Sequence, residues 1–179
     1  MAANSIVRRR RHLKPTHDDK NLVALAGEYH VLAQLAERGI VGALTLGHTK
    51  GIDILAHNPR TGRMRRVEVK STRQGPQSAR LWHPAAATAY SWTMSEKHET
   101  LNDDNLLFGF VQLSGATSQP LVFVVPAGEV ASYVKWEHEL WLKSGKNGPR
   151  KENKENKMRR FRIEATDPNG YQNNWSLFE

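Results

Sequence analysis

Five consecutive residues, Asn58-Pro59-Arg60-Thr61-Gly62, constrain this chain more than any others. They form a dense run of turn formers between two short segments, residues 51–57 and 63–70, that read as strands. Strands joined by so short a turn must pair antiparallel. With the turn centred on Arg60 and Thr61, Ile54 faces Val67, Ile52 faces Val69 and Asp53 faces Glu68. That register collects four β-branched residues on one face of the hairpin. On the other face it sets two carboxylates opposite each other, with Cβ atoms roughly 5 Å apart. Lys70, two residues beyond Glu68, shares the carboxylate face and sits across from Gly51, which has no side chain to block it.

Facing carboxylates repel, and both stay ionised cheaply only with a cation between them. Hard oxygen donors without cysteine or a nearby histidine suit magnesium or manganese. Such an ion polarises a phosphoryl oxygen and lowers the pKa of a bound water. A lysine alongside can orient that water or stabilise charge building on a phosphate. The pattern thus holds the parts needed to hydrolyse a phosphodiester. It is equally compatible, taken alone, with an ordinary Glu–Lys–Asp cluster on a surface strand pair.

Glu28 adds weight to the catalytic reading. Residues 22–36 have helical periodicity, and Leu22, Leu25, Tyr29, Leu32 and Ala36 lie on one stripe expected to face the core. Glu28 falls within that stripe, where a carboxylate is costly unless it is paired or binds metal. Gly27 beside it would allow the sheet to approach closely.

The remaining chain reads as one α/β domain, a mixed β-sheet flanked by helices, over residues 21–179. Residues 1–20 form a basic arm of net charge +4, expected to be flexible, and the helix is expected to begin after Pro15. Strands are expected around 41–46, 106–113, 120–125 and 158–164, a helix at 127–142, and a shorter helix near 95–101. A basic low-complexity loop covers 143–157, and residues 143–162 carry net +7. The whole chain is at +8, so the rest is mildly acidic. Two basic blocks flanking an acidic body suit a polyanionic partner.

The absence of cysteine excludes disulfides, thiolate metal sites and a thiol nucleophile, and fits a cytoplasmic protein. No apolar run approaches the roughly 20 residues of a membrane span. No phosphate-binding GxxxxGK[ST] pattern is present, which argues against an ATP-driven motor.

These residues resemble the PD-(D/E)XK nuclease superfamily, the restriction-endonuclease-like fold. Glu28 in AGEYHVLAQLAERG, Gly51-Ile52-Asp53 in KGIDILA and Glu68-Val69-Lys70 in RVEVKST carry the likeness, over about residues 21–73. The resemblance implies that Asp53, Glu68 and the main-chain carbonyl of Val69 hold Mg²⁺ or Mn²⁺. It implies that Lys70 is the catalytic lysine and Glu28 the first-helix acid. Ile52 stands where the family's name-giving proline would be. The helix glutamate, with Ser71 and Thr72 after the lysine, is similar to the Holliday-junction resolvase branch, although restriction and repair members look alike over this span.

The implied activity is a metal-dependent endonuclease acting on DNA, of restriction, mobile-element or junction-resolving type. Lys50, Ser71, Thr72, Arg73 and Arg80 are the candidate DNA contacts, with Arg63 and Arg65 expected to point away from the metal. A homodimer would suit cutting of both strands. Two other readings stand beside this one: a catalytically silent DNA-binding protein of the same fold, and an RNA-directed nuclease. The eight histidines show no metal-ligand spacing. Four tryptophans, 92, 136, 141 and 175, are expected in packing roles, and Trp82 is a candidate for stacking on a base.

Overall fold

The computed structural model describes residues 17–46, 51–79, 81–82, 88–114, 118–145, 148–151 and 155–179. The basic residues of the arm up to Lys14, together with Lys50, Arg80, His48, His83 and parts of the 143–157 loop, lie outside the described residues.

Helix α1 (His17–Glu37) is followed by strands β1 (Val41–Leu44), β2 (Ile54–His57) and β3 (Met64–Thr72). The helix therefore starts within the segment assigned to the arm. Strands β6 (Leu106–Gln112) and β7 (Leu121–Pro126) complete a five-stranded sheet in the order β1-β2-β3-β6-β7. All its pairings are antiparallel except the parallel one between β3 and β6. This is the mixed sheet flanked by helices that the sequence pattern implied. A second sheet, not anticipated, pairs β4 (Gln77–Ser78), β5 (Thr88–Ser95) and β8 (Met158–Glu164) in that order. Helix α2 (Ala127–Lys143) packs on β8. The segment expected as a helix near 95–101 is a single 3₁₀ turn, Glu96–Thr100.

Every residue of β6 is buried, and its alternation divides the interior in two. Leu107 and Val111 join Val67, Val69 and Ile54 beneath Val31 and Leu35 of α1. Phe108 and Phe110 join Trp92, Phe161 and Val130 on the opposite face, between the main sheet, α2 and the second sheet. Phe110 and Phe161 stack at 4.5 Å. Burying a side chain of this size contributes about 1.5–3 kcal/mol, so these layers fix the second sheet against the first. Trp92 and Trp175 are buried as expected, whereas Trp136 is partly exposed.

The core-facing stripe of α1 is corrected. Leu22, Leu25 and Tyr29 are exposed, and the helix instead buries Gly27, Val31 and Leu35 at four-residue spacing. Close approach decides it. A Cβ at Gly27 would lie 1.8 Å from Ser71 Oγ, so only a residue without a side chain lets α1 settle on β3. Among the described residues, no helix is long and apolar enough to cross a membrane.

Candidate active site

The hairpin register holds where β2 exists: Ile54 pairs with Val67, Leu55 with Arg66 and His57 with Met64. It does not extend to Asp53. The ladder ends at Ile54, the chain bends at Asp53, and the Asp53 N–H bonds the Val67 carbonyl at 2.8 Å. Asp53 therefore does not face Glu68 across a strand pair, as the simple register expected. The departure has a cause just past β1: Thr45 Oγ1 donates to the Ile52 carbonyl at 2.7 Å and Thr45 N–H to the Asp53 carbonyl at 2.9 Å.

The bend leaves β3 without its neighbour at Val69, and the Asp53 side chain takes the vacated place. Asp53 Oδ2 accepts the Val69 N–H at 2.6 Å. In a strand, one residue's N–H and C=O point to the same side, so the Val69 carbonyl is directed into the same gap. Glu68 and Lys70 project on the other face of β3, with Lys70 Nζ 2.6 Å from Glu68 Oε1. Gly51, at φ +75°, brings the returning chain over Glu68; a Cβ there would be 3.2 Å from Glu68 Oε2.

Glu28, Asp53, Glu68 and Lys70 interact electrostatically, so the structure brings the four predicted catalytic residues together. Burial raises the pKa of Asp53, with the charge of Glu68 adding to it; the Val69 N–H and Lys70 offset this only in part. Burial and the charge of Asp53 raise Glu28, against the pull of Lys70. Glu68 goes the other way. Its burial alone would push it up, but the hydrogen bond from His98 and the charge and hydrogen bond of Lys70 bring it to about 2.

Two residues of this cluster were not singled out in the sequence. His98 is buried in the 3₁₀ turn, its Nε2 3.2 Å from Glu68 Oε1. Its Nδ1 accepts the Ser95 N–H at 3.0 Å, which leaves the ring proton on Nε2, aimed at the carboxylate. The Ser95 carbonyl also lies 2.9 Å from Nδ1, a crowding that the opposite tautomer would relieve. The Ser95 N–H can only donate and ionised Glu68 can only accept, so we assign the Nε2–H form. Lys97, next to it and exposed, places Nζ 3.9 Å from Glu68 Oε1. The cue was slight: an acidic and basic run, Glu96-Lys97-His98-Glu99, with nothing to say where it docks.

The other candidates sort by parity along β3. Ser71 turns its hydroxyl under Gly27, where it is buried without a hydrogen-bond partner among the described residues. Thr72 and Arg73 continue past Lys70 at the rim, and Arg73 is exposed. Arg65 points away as expected, donating to the carbonyls of Leu177 and Asp104. Arg66 is held in an ion pair with Asp103.

Among the described residues, no three His, Asp or Glu side chains close into a metal cage. The oxygen donors available there, two carboxylates and a main-chain carbonyl, would suit a magnesium-like ion that binds through one or two carboxylates and keeps several waters. Three carboxylates balanced by two lysines, with two of the three raised in pKa, leave room for further positive charge.

No protein-family model matches the chain, and no curated protein matches it. Among solved structures, a bacterial homing endonuclease, I-Ssp6803I, is similar in fold at a TM-score of 0.45 and 13% identity, over 88% of this chain and 90% of that one.

Proposed function

We propose that the chain is a metal-dependent nuclease that hydrolyses phosphodiester bonds in DNA. The observation that carries this reading is the convergence of Glu28, Asp53, Glu68 and Lys70 at the point where β2 leaves β3. Asp53, Glu68 and the Val69 carbonyl would hold Mg²⁺ or Mn²⁺. When bound, the ion supplies a polarised phosphoryl oxygen and a water acidic enough to attack at neutral pH.

The chain's own residues do the rest. Asp53 is tied to the Val69 N–H, so its free oxygen is fixed relative to the Val69 carbonyl. His98 holds Glu68 through a hydrogen bond to Oε1 and helps to keep it ionised. Lys70, beside Glu68, would orient the attacking water and offset negative charge on the phosphate. Glu28 approaches from α1 and adds a carboxylate to the same gap, as a supporting acid.

Labelled duplex, single-stranded and four-way-junction DNA, with RNA alongside, test this reading in Mg²⁺, Mn²⁺ and EDTA. Cleavage dependent on metal and abolished in Lys70→Ala supports it. Unchanged cleavage by that variant overturns the mechanism. Tight binding with no cutting under either metal would make the chain a silent DNA-binding protein, and cutting confined to RNA would reassign the substrate.

A further inference from the structure

The second sheet has two unlike faces. On β5, Trp92 and Met94 enter the core, and on β8 so do Phe161 and Ile163. The cross-strand pairs between them, Ser91 with Arg162 and Thr93 with Arg160, occupy the other face. That face floors a trough beginning at Lys70. Its first part, about 530 Å³, runs from Lys20, Lys70 and Arg73 to Arg160. Its second, about 510 Å³, shares Gln74, Ser91, Thr93 and Arg160 and reaches Trp82 and Arg162. The two parts form one channel.

The charge of this channel is one-sided. Among the described residues lining either part, none is Asp or Glu. Three arginines are matched by acids: Arg66 with Asp103, Arg159 with Glu99, and Arg162, at the far end of the channel, with Glu137. Arg73 and Arg160 have no such acid among the described residues. Arg162 serves the wall, its guanidinium 3.6 Å over the Trp82 ring. Two polar atoms along the channel, Ser91 Oγ and Trp82 Nε1, are buried with no hydrogen-bond partner among the described residues. A merely solvated basic surface would be convex and interspersed with acids. This one is concave, has no Asp or Glu among its described lining residues, and is continuous with Lys70.

We propose that the substrate duplex leaves the catalytic centre across the polar face of the second sheet, with its backbone phosphates held by Arg73 and Arg160. The inference rests on the nuclease reading and adds the path of the DNA. A duplex fits better than a single strand because single-strand grooves offer open aromatic faces to the bases. Here Trp92 is buried in the core and one face of Trp82 is covered by Arg162.

The test is equilibrium binding in EDTA, where no cutting occurs, to a fluorescein-labelled 20-base-pair duplex and the matching single strand. Arg160→Ala and Arg73→Ala should each weaken duplex binding about five-fold and lower the salt dependence of log K by about one unit. Arg63→Ala is the control. Arg63 is exposed at the hairpin turn, ten residues before Arg73 and so roughly 33 Å away along β3. It should change neither quantity. Wild-type affinity and salt slope in both Arg73→Ala and Arg160→Ala overturn the track, as does a loss confined to the single strand. Absence of duplex binding by the wild-type protein would overturn the nuclease reading itself. Circular dichroism of each variant confirms that it is folded.

Discussion

His98 donates from Nε2 to Glu68 Oε1 across 3.2 Å, and both side chains are almost wholly buried. The pair ties the 3₁₀ turn to the middle of β3, thirty residues earlier. Removing one partner of a buried hydrogen bond costs about 1–3 kcal/mol, so His98→Ala should lower the urea midpoint accordingly. The acid limb should move too. Glu68 has a folded pKa of about 2 against 4.5 unperturbed, so its contribution is complete above pH 4.5 and is lost as pH falls toward 2. Without His98 the folded pKa of Glu68 should rise, so this contribution should be smaller and its loss complete at a higher pH. Identical stability profiles between pH 2 and 5 for the two proteins would show that the contact does not hold Glu68.

Asp53 has the opposite linkage. Its pKa is raised, so its ionised form costs stability above the folded pKa and the cost is relieved as pH falls. Asp53→Asn keeps an oxygen for the Val69 N–H and removes the charge. Solvent screening at this half-exposed group limits the gain to the order of 1 kcal/mol, or about 2–4 °C in Tm, at pH 7 without metal. The same variant should lose cleavage and lose any rise in Tm that Mn²⁺ gives the wild-type protein. A drop in Tm on this substitution would mean that Asp53 is a structural charge and not a strained functional one.

The contact of Gly27 with Ser71 predicts a coupled pair. Gly27→Ala gains about 0.8–1 kcal/mol of helix propensity. It also forces a Cβ to within 1.8 Å of Ser71 Oγ and 2.9 Å of Ser71 Cβ. Overpacking of this kind costs typically about 1–3 kcal/mol, so the variant should be destabilised and should also lose activity, because Glu28 is the next residue on the displaced helix. Ser71→Gly in the same chain should restore most of the loss. Simple additivity of the two substitutions in urea unfolding would rule out the contact.

What the sequence made legible follows from the range of the forces involved. The pairing of Ile54 with Val67 is set by a five-residue turn and period-two apolar residues, all local, and it is found as read. The bend at Asp53 depends on Thr45, just past β1, holding Ile52 and Asp53, a tertiary contact that no spacing within the hairpin encodes. On α1 the largest apolar residues, Leu22, Leu25 and Tyr29, suggested the wrong face, since burial there is governed by how closely Gly27 approaches β3. Strand β5 did carry a signal, the alternation of Tyr90, Trp92 and Met94 with Ser91, Thr93 and Ser95, in a stretch otherwise broken by glycine and proline. Lys97 and His98 reach Glu68 only because that second sheet carries the crossover between β3 and β6 back over the site.

Lys97 and Lys70 share one oxygen of Glu68, at 3.9 and 2.6 Å, but not one role. Lys70 rises from the rigid centre of the sheet and is only partly exposed. Lys97 comes from the 3₁₀ turn and is mostly in solvent, free to swing toward a phosphate once Glu68 is engaged. Removing Lys70 should therefore abolish cleavage. Lys97→Ala should slow the single-turnover rate about ten-fold, equivalent to about 1.4 kcal/mol of transition-state stabilisation. Lys97→Arg should recover most of that rate, since a mobile positive charge is what the position supplies. The reverse order of severity, with Lys97→Ala inactive and Lys70→Ala nearly normal, would transfer the catalytic role to the turn.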